Sequence, residues 1–89
     1  MNASEFEAAL KQEGYQEITT RTLEPHPANG EHVHPFSVRG LVTEGEFIIA
    51  SDSLPHCYTS GDVFDVAAGQ RHTEAVGVQG TRVTSGRKY

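Results

Sequence analysis

The sequence predicts a small all-β protein, an antiparallel β-barrel or jelly roll with one short N-terminal helix. From residue 15 onward, short runs rich in β-branched and aromatic residues alternate with turn signals, whereas helical apolar spacing is confined to the first residues. The chain has 89 residues, which is enough for one domain with a limited core. We therefore expect residues 1–14 to form a helix packed on the barrel, and residues 15–89 to form a single barrel domain.

The N-terminal helix is predicted for residues 4–13. Ser4 followed three residues later by Glu7 matches a capping box, and Phe6 and Leu10 fall on one apolar face. A helix of about ten residues is marginal in isolation, so its apolar face should dock on the barrel or on a partner subunit.

The remaining elements are predicted as strands separated by turns. Glu44-Gly45 is a tight hairpin signal, and further turns are expected at residues 51–53 and 60–62, with a frayed end at residues 86–89. The strands are expected at residues 15–23, 31–34, 36–43, 46–50, 56–60, 63–66, 72–76 and 81–85. The expected core consists of Val33, Leu41, Val42, Phe47, Ile49, Phe64, Val66 and Val83.

Composition argues against nucleic-acid and membrane partners. The chain carries 12 acidic and 7 basic residues, and its arginines are scattered rather than gathered into a basic patch. No apolar run approaches the roughly 20 residues needed to cross a bilayer, and the first residues do not resemble a secretion signal. Cys57 is the only cysteine and cannot form an internal disulfide. These features predict a cytoplasmic protein.

Three histidines are the candidate functional residues. His32 and His34 are two apart, so on a strand both side chains point to the same face. His72 follows a strand and a turn marked by Gly69. Imidazole is the commonest protein ligand for transition metals, and three imidazoles leave coordination positions open. The residues therefore suggest a three-histidine metal site; the alternative is a pocket that holds water or an organic ligand.

The order of these residues resembles the two motifs of the cupin superfamily. In the first motif, G-x5-HxH-x3,4-E-x6-G, His32, His34 and Gly45 fill three places. In the second, G-x5-PxG-x2-H-x3-N, the matching residues are Gly61, Gly69 and His72. The motifs span His32 to His72 and, with their flanking strands, cover most of the chain.

The resemblance implies a conserved β-barrel with a divalent transition metal, such as Zn, Ni, Fe or Mn, held by His32, His34 and His72. The sequence departs from the motifs at several places. Val38 occupies the position of the usual metal-binding glutamate, and Val76 occupies that of the terminal asparagine. Cupins with three histidine ligands occur, including the thiol dioxygenases, so a site without that glutamate is compatible with the family.

Other residues are weaker candidates for the pocket. Glu74 shares the face of His72 on a regular strand and could supply a carboxylate, although an exposed strand end explains it equally well. His26 could lie near the metal, and His56 with Tyr58 could shuttle protons, but both are better explained as loop histidines. Cys57 as a nucleophile is better explained as a core residue. Arg39 and Arg71 as binders of a carboxylate substrate are better explained as surface residues.

Three functions remain open on the sequence. The first is a small metal-binding cupin module without an assigned activity, and the second is an iron-dependent dioxygenase. The third is a metal-free module that binds a small sugar or organic acid. A thin core and open sheet edges further predict a homodimer.

Overall fold

The strands form one antiparallel sheet that carries a helix. The computed structural model describes residues 1–52 and 54–89. The elements are α1 (Ala3–Gln12), β1 (Gln16–Leu23), β2 (Ser37–Ser51), β3 (Leu54–Tyr58), β4 (Val63–Val66) and β5 (Thr73–Lys88). The sheet order is β1-β5-β2-β3, with β4 paired to β2, and no ladder among the described residues closes β1 onto β3 or β4. The predicted all-β fold with one short helix is confirmed, and the barrel is open.

The two longest strands, β2 and β5, pair along almost their whole length. The ladder runs from Ser37 opposite Lys88 to Ala50 opposite Thr73. It is interrupted by bulges near Gly45 and Gly80, which both have a φ of 75°. Bulges bend the strands and increase their twist, so the two halves of this ribbon can curve around a common interior. On the free edge of β2, β4 pairs with the first half and β3 with the second.

The main core lies on the inner face of this curved ribbon. Side chains alternate between faces along a strand, and alternate positions on both sides of the bulges are buried. The cluster comprises Val42, Phe47, Ile49, Phe64, Val66, Val76 and Val83, all of which are at most 6% exposed. Six of these were predicted. Val33 was wrongly placed in the core and is 51% exposed, because it points away from the side that its neighbours His32 and His34 face.

The helix packs on the outer face of the sheet. Phe6 and Leu10 are buried against Leu41, as their shared stripe predicted. The capping box, however, is formed by Asn2 and Glu5 rather than by the predicted pair Ser4 and Glu7. Asparagine is as good an N-cap as serine, so the helix begins earlier than expected. In the described part of the chain, no helix is long and apolar enough to span a membrane.

Several predicted boundaries were wrong because tertiary pairing overrides local turn signals. Glu44-Gly45 lies inside β2 rather than in a hairpin, and residues 31–34 contribute an isolated bridge rather than a strand. The C-terminal residues predicted to fray belong to β5 as far as Lys88. The turn predicted at residues 51–53 falls between β2 and β3; its Asp52 has a φ of 53°, and Ser53 lies outside the described residues. The turn predicted at residues 60–62 links β3 to β4.

The bulge at Gly45 yields a prediction about stability. A Cβ there would overlap the carbonyl oxygen of Gly80, and the positive φ disfavours other residues. We expect Gly45→Ala to lower the free energy of unfolding by at least about 2 kcal/mol in urea denaturation. Gly30→Ala is the matched control. Apart from Gly30 and its two chain neighbours, no described residue has an atom within 4 Å of the point where the added methyl group would stand, and the φ of Gly30 is not positive. The control should change stability by less than about 1 kcal/mol; equal effects would contradict the role of the bulge.

Candidate functional site

The segment that links β1 to β2 lies along the first half of β5 and positions two of the histidines. Isolated bridges join His26 to Val76 and His32 to His72, with mutual backbone hydrogen bonds of 3.0–3.2 Å. Between them, the backbone N–H of Glu74 donates to the side-chain oxygen of Asn29 at 2.9 Å. The segment is therefore held in place by backbone contacts although it forms no regular strand.

The structure brings together the three histidines that the sequence singled out. The ring centroids of His32 and His72 are 4.3 Å apart, and the ring of His34 lies 5.0 Å from that of His32 and 5.2 Å from that of His72. The carboxylate of Glu74 joins them, with Oε2 3.1 Å from Nε2 of His72 and 3.6 Å from Nε2 of His32. One donor atom from each of the four residues lies within 4.8 Å of all the others.

Backbone carbonyls orient two of the imidazole rings. Nδ1 of His32 lies 2.9 Å from the carbonyl oxygen of Gly30, and Nδ1 of His72 lies 2.9 Å from that of Gln70. Because a carbonyl oxygen only accepts, Nδ1 carries the proton in both rings. In the neutral rings, both Nε2 lone pairs then face the cluster, which is the usual arrangement of metal-binding histidines.

The carboxylate comes from a different strand than the cupin motif implies. His72, Glu74 and Val76 alternate along the inner side of the chain that enters β5, so Glu74 reaches the cluster beside His72. Val38, at the position of the motif glutamate, lies on β2 and contributes a methyl surface to the interior. From the sequence, Glu74 was only one of several weaker possibilities.

Burial differs sharply among the four residues and affects the basicity of one of them. The His72 side chain is fully buried, whereas those of His32 and Glu74 are 30% and 29% exposed. Burial lowers the pKa of His34, and the neighbouring His32 and His72 rings lower it further, while Glu74 opposes the shift. His34 also stacks on Phe36, with centroids 4.9 Å apart. The arrangement therefore favours a neutral imidazole at His34.

The other candidate residues lie outside this cluster. His26 and His56 are exposed; the first contacts the Pro27 carbonyl and the second packs on the Tyr58 ring. Cys57 is also exposed rather than part of the core. Desolvation and the nearby Glu46 carboxylate raise the pKa of its thiol, which argues against a nucleophilic role.

The two arginines that were considered as carboxylate binders are engaged elsewhere. Nη1 of Arg39 donates to both carboxylate oxygens of Asp65, its partner in the β2–β4 ladder, at 2.9 and 3.0 Å. Arg71 pairs with Glu31 at 3.1 Å on the surface. The arginines that line the interior beside the cluster are instead Arg21 and Arg87, which the sequence reasoning missed. The alternation of Val83, Ser85 and Arg87 along β5 was the pattern that could have predicted that Arg87 faces the interior.

The fold is similar to that of solved cupins. A cupin superfamily protein from Desulfitobacterium hafniense superposes with a TM-score of 0.70 at 19% identity, over 84% of this chain and 68% of that one. An RmlC-like cupin from Shewanella frigidimarina gives a TM-score of 0.68 at 22% identity, over 80% and 63% of the two chains. For the Clostridium difficile EutQ protein the TM-score is 0.71 at 13% identity, over 89% and 60%.

These likenesses establish the fold: the chain has the fold of a small cupin domain. No protein-family profile and no curated protein matches the sequence. The chain spans only part of the length of its structural relatives, for example 63% of a cupin from Bacteroides fragilis. Identities this low carry the fold and not the activity of those proteins, so the function must be argued from the site itself.

The environment of His34 predicts its titration in protein without metal. Because burial and the two neighbouring imidazoles lower its pKa, the NMR signals of the His34 ring should titrate with a midpoint below 6.5. The reference for this midpoint is the ordinary histidine value of 6.5. A His34 midpoint at or above 6.5 would contradict the packing of the three rings described above.

Proposed function

We propose that the protein is a small cupin-domain protein that binds one divalent transition metal through His32, His34, His72 and Glu74. The observation that carries the proposal is the convergence of these four donors within 4.8 Å. With each donor about 2.1 Å from the metal, two donors are about 3.4 Å apart on a tetrahedral ion and about 4.2 Å apart when they lie on opposite sides of a six-coordinate ion. The most widely separated donors would therefore have to approach each other by roughly 0.6 to 1.4 Å to complete the site.

The charges within the cluster support a bound cation. The Oε2 atom of Glu74 lies 3.1 Å from Nε2 of His72 and 3.6 Å from Nε2 of His32. With the rings neutral and protonated on Nδ1, all three atoms are acceptors, which repel unless a proton or metal ion lies between them. Three imidazoles and one carboxylate suit Zn, Ni, Fe or Mn. A bound metal would supply Lewis acidity at the wall of the adjoining cavity.

An iron-dependent dioxygenase is the second candidate function. It is favoured by the cavity that opens beside His34, His72 and Glu74, since four protein donors leave two positions on a six-coordinate ion. Oxygen consumption with iron and a panel of thiols tests this activity. Metal binding without oxygen consumption would leave the simpler metal-binding module.

Substitution of the donors tests the metal proposal. Calorimetric titration should show that His34→Ala and His72→Ala each bind zinc at least about 100-fold more weakly than the wild type. A loss of this size exceeds the one that is typical when the substituted residue only supports a metal ligand. Glu74→Gln keeps the shape but removes the charge, and should weaken binding by roughly tenfold or more. Because His72 is buried, circular dichroism must confirm that its variant folds.

The matched control is His56→Ala, which removes an exposed histidine outside the cluster. Its zinc affinity should equal that of the wild type. If the three donor variants bind zinc as tightly as the wild type and the control, or if the wild type binds none, the proposed donors do not form a metal site. Those donors are His32, His34, His72 and Glu74.

We also propose a cytoplasmic homodimer. The edges of the sheet support the dimer: β1 is polar and largely exposed on one edge, while Leu54 of β3, on the other, is 74% exposed. Open edges and exposed apolar residues are commonly covered by a second subunit. Analytical ultracentrifugation should give about twice the monomer mass of 9.7 kDa, and a monomer at micromolar concentration would contradict the dimer.

A further inference from the structure

A cavity of about 160 Å³ lies inside the curved sheet, next to the histidine cluster. One end is formed by His34, His72 and Glu74, which are three of the four proposed metal donors. Most of the remaining wall is apolar: Leu23, Phe36, Val38, Phe47, Phe64, Val66 and Val83. A cavity of about 150 Å³ with an apolar lining can hold a molecule as large as benzene.

The wall of this cavity also carries two arginines. On β5, Val83, Ser85 and Arg87 alternate with outward residues, so all three side chains share the inner face. Arg21 on β1 lies directly opposite Val83 in the ladder and lines the same space, at a position that is exposed to solvent. The inner face of β5 therefore changes from apolar at Val83 to cationic at Arg87. Ser85 lies between the Arg21–Val83 pair and Arg87 in the strand register.

The two arginines differ in how their charges are compensated. Arg87 lies over the Phe36 ring, 4.3 Å from the centroid, and pairs with Glu17 at 3.6 Å. Arg21 has no ion pair within residues 1–52 and 54–89. The three arginines that do not line the cavity, Arg39, Arg71 and Arg82, each pair with an acidic residue at 2.9, 3.1 and 3.4 Å. Arg21 is thus the arginine of the wall that has no ion pair among the described residues, while the Glu74 carboxylate lines the same cavity at the histidine cluster.

We propose that this cavity binds a small organic monocarboxylate. Its carboxylate contacts Arg21 and Arg87, because a guanidinium matches the geometry of a carboxylate. Its apolar body fills the space between the arginines and the histidine cluster. Two arginines against one carboxylate, Glu74, leave the lining with an excess of one positive charge, which fits a monoanion better than a phosphate dianion. The apolar wall favours a carbon skeleton over a free inorganic ion. Binding of the carboxylate in the cavity does not depend on a metal. A further role of this ligand as a substrate or metal co-ligand rests on the proposed metal function.

Benzoate is a suitable probe because its ring matches the cavity and its carboxylate matches the arginines. Titrations of isotopically labelled protein followed by NMR should shift the backbone amide signals of Val83, Ser85 and Arg87, with and without zinc. Benzyl alcohol keeps the ring but lacks the charge, and should bind at least about tenfold more weakly. Equal affinities for the two probes, or shifts confined to other parts of the chain, would overturn the proposal.

Arginine variants test the assigned contacts. Arg21→Gln and Arg87→Gln should each weaken benzoate binding by about tenfold or more, whereas Arg21→Lys should retain part of the affinity because it keeps the charge. Arg71→Gln is the matched control, since Arg71 lies on the surface outside the cavity, and should leave benzoate binding unchanged. Loss of benzoate affinity in the control as large as in Arg21→Gln would overturn the proposal.

Zinc titrations of the same proteins separate this proposal from the metal function. Arg21→Gln should bind zinc like the wild type, because Arg21 is not among the four clustered donors. If the wild type binds no zinc but binds benzoate through the arginines, the metal function fails and the carboxylate site is supported. If benzoate binds only with zinc and ignores both arginine substitutions, its carboxylate is a metal ligand and the assignment to the arginines is wrong.

Discussion

The pairing of β2 with β5 is the constraint on which the rest of the structure depends. It brings residues 37–51 against residues 73–88, and the bulges at Gly45 and Gly80 bend this ribbon. The bend turns the inner faces of its two halves toward a shared interior, which explains why one apolar cluster includes residues from both halves. The same strand, β5, then carries Glu74 near its start and Arg87 near its end. Both proposed binding functions therefore depend on one strand pairing.

The histidine cluster depends on a second constraint, which is the contact between an irregular segment and β5. A regular strand at residues 26–34 would place its side chains at fixed spacing. Here the bridges at His26 and His32, together with the hydrogen bonds between Asn29 and Glu74, hold the segment against β5. Carbonyl oxygens from Gly30 and Gln70 then orient two rings. Donors that are oriented before the metal arrives lose less conformational entropy on binding. The irregular backbone is thus compatible with an ordered site.

The sequence predicted which histidines lie together better than it predicted the elements that carry them. The spacing of two between His32 and His34 was sufficient to predict that their rings would meet, because an extended segment alternates whether or not it joins a ladder. Gly45 was misread because a glycine with positive φ serves a bulge as well as a hairpin, and only the partner strand decides between them. Arg21 was missed for a similar reason. Its inward orientation follows from the register with β5, which local patterns do not encode.

The position of the carboxylate connects the metal cluster with the anion site. Val38, where the cupin motif has glutamate, lies directly opposite Arg87 in the β2–β5 ladder. A glutamate there would have a guanidinium within reach, and such a pair would neutralise the charge that we assign to ligand binding. Glu74 lies at the other end of β5, where its carboxylate contacts His72 and His32. Placing valine on β2 and the acid on β5 therefore separates the anionic metal donor from the cationic wall, so that one small cavity can present both.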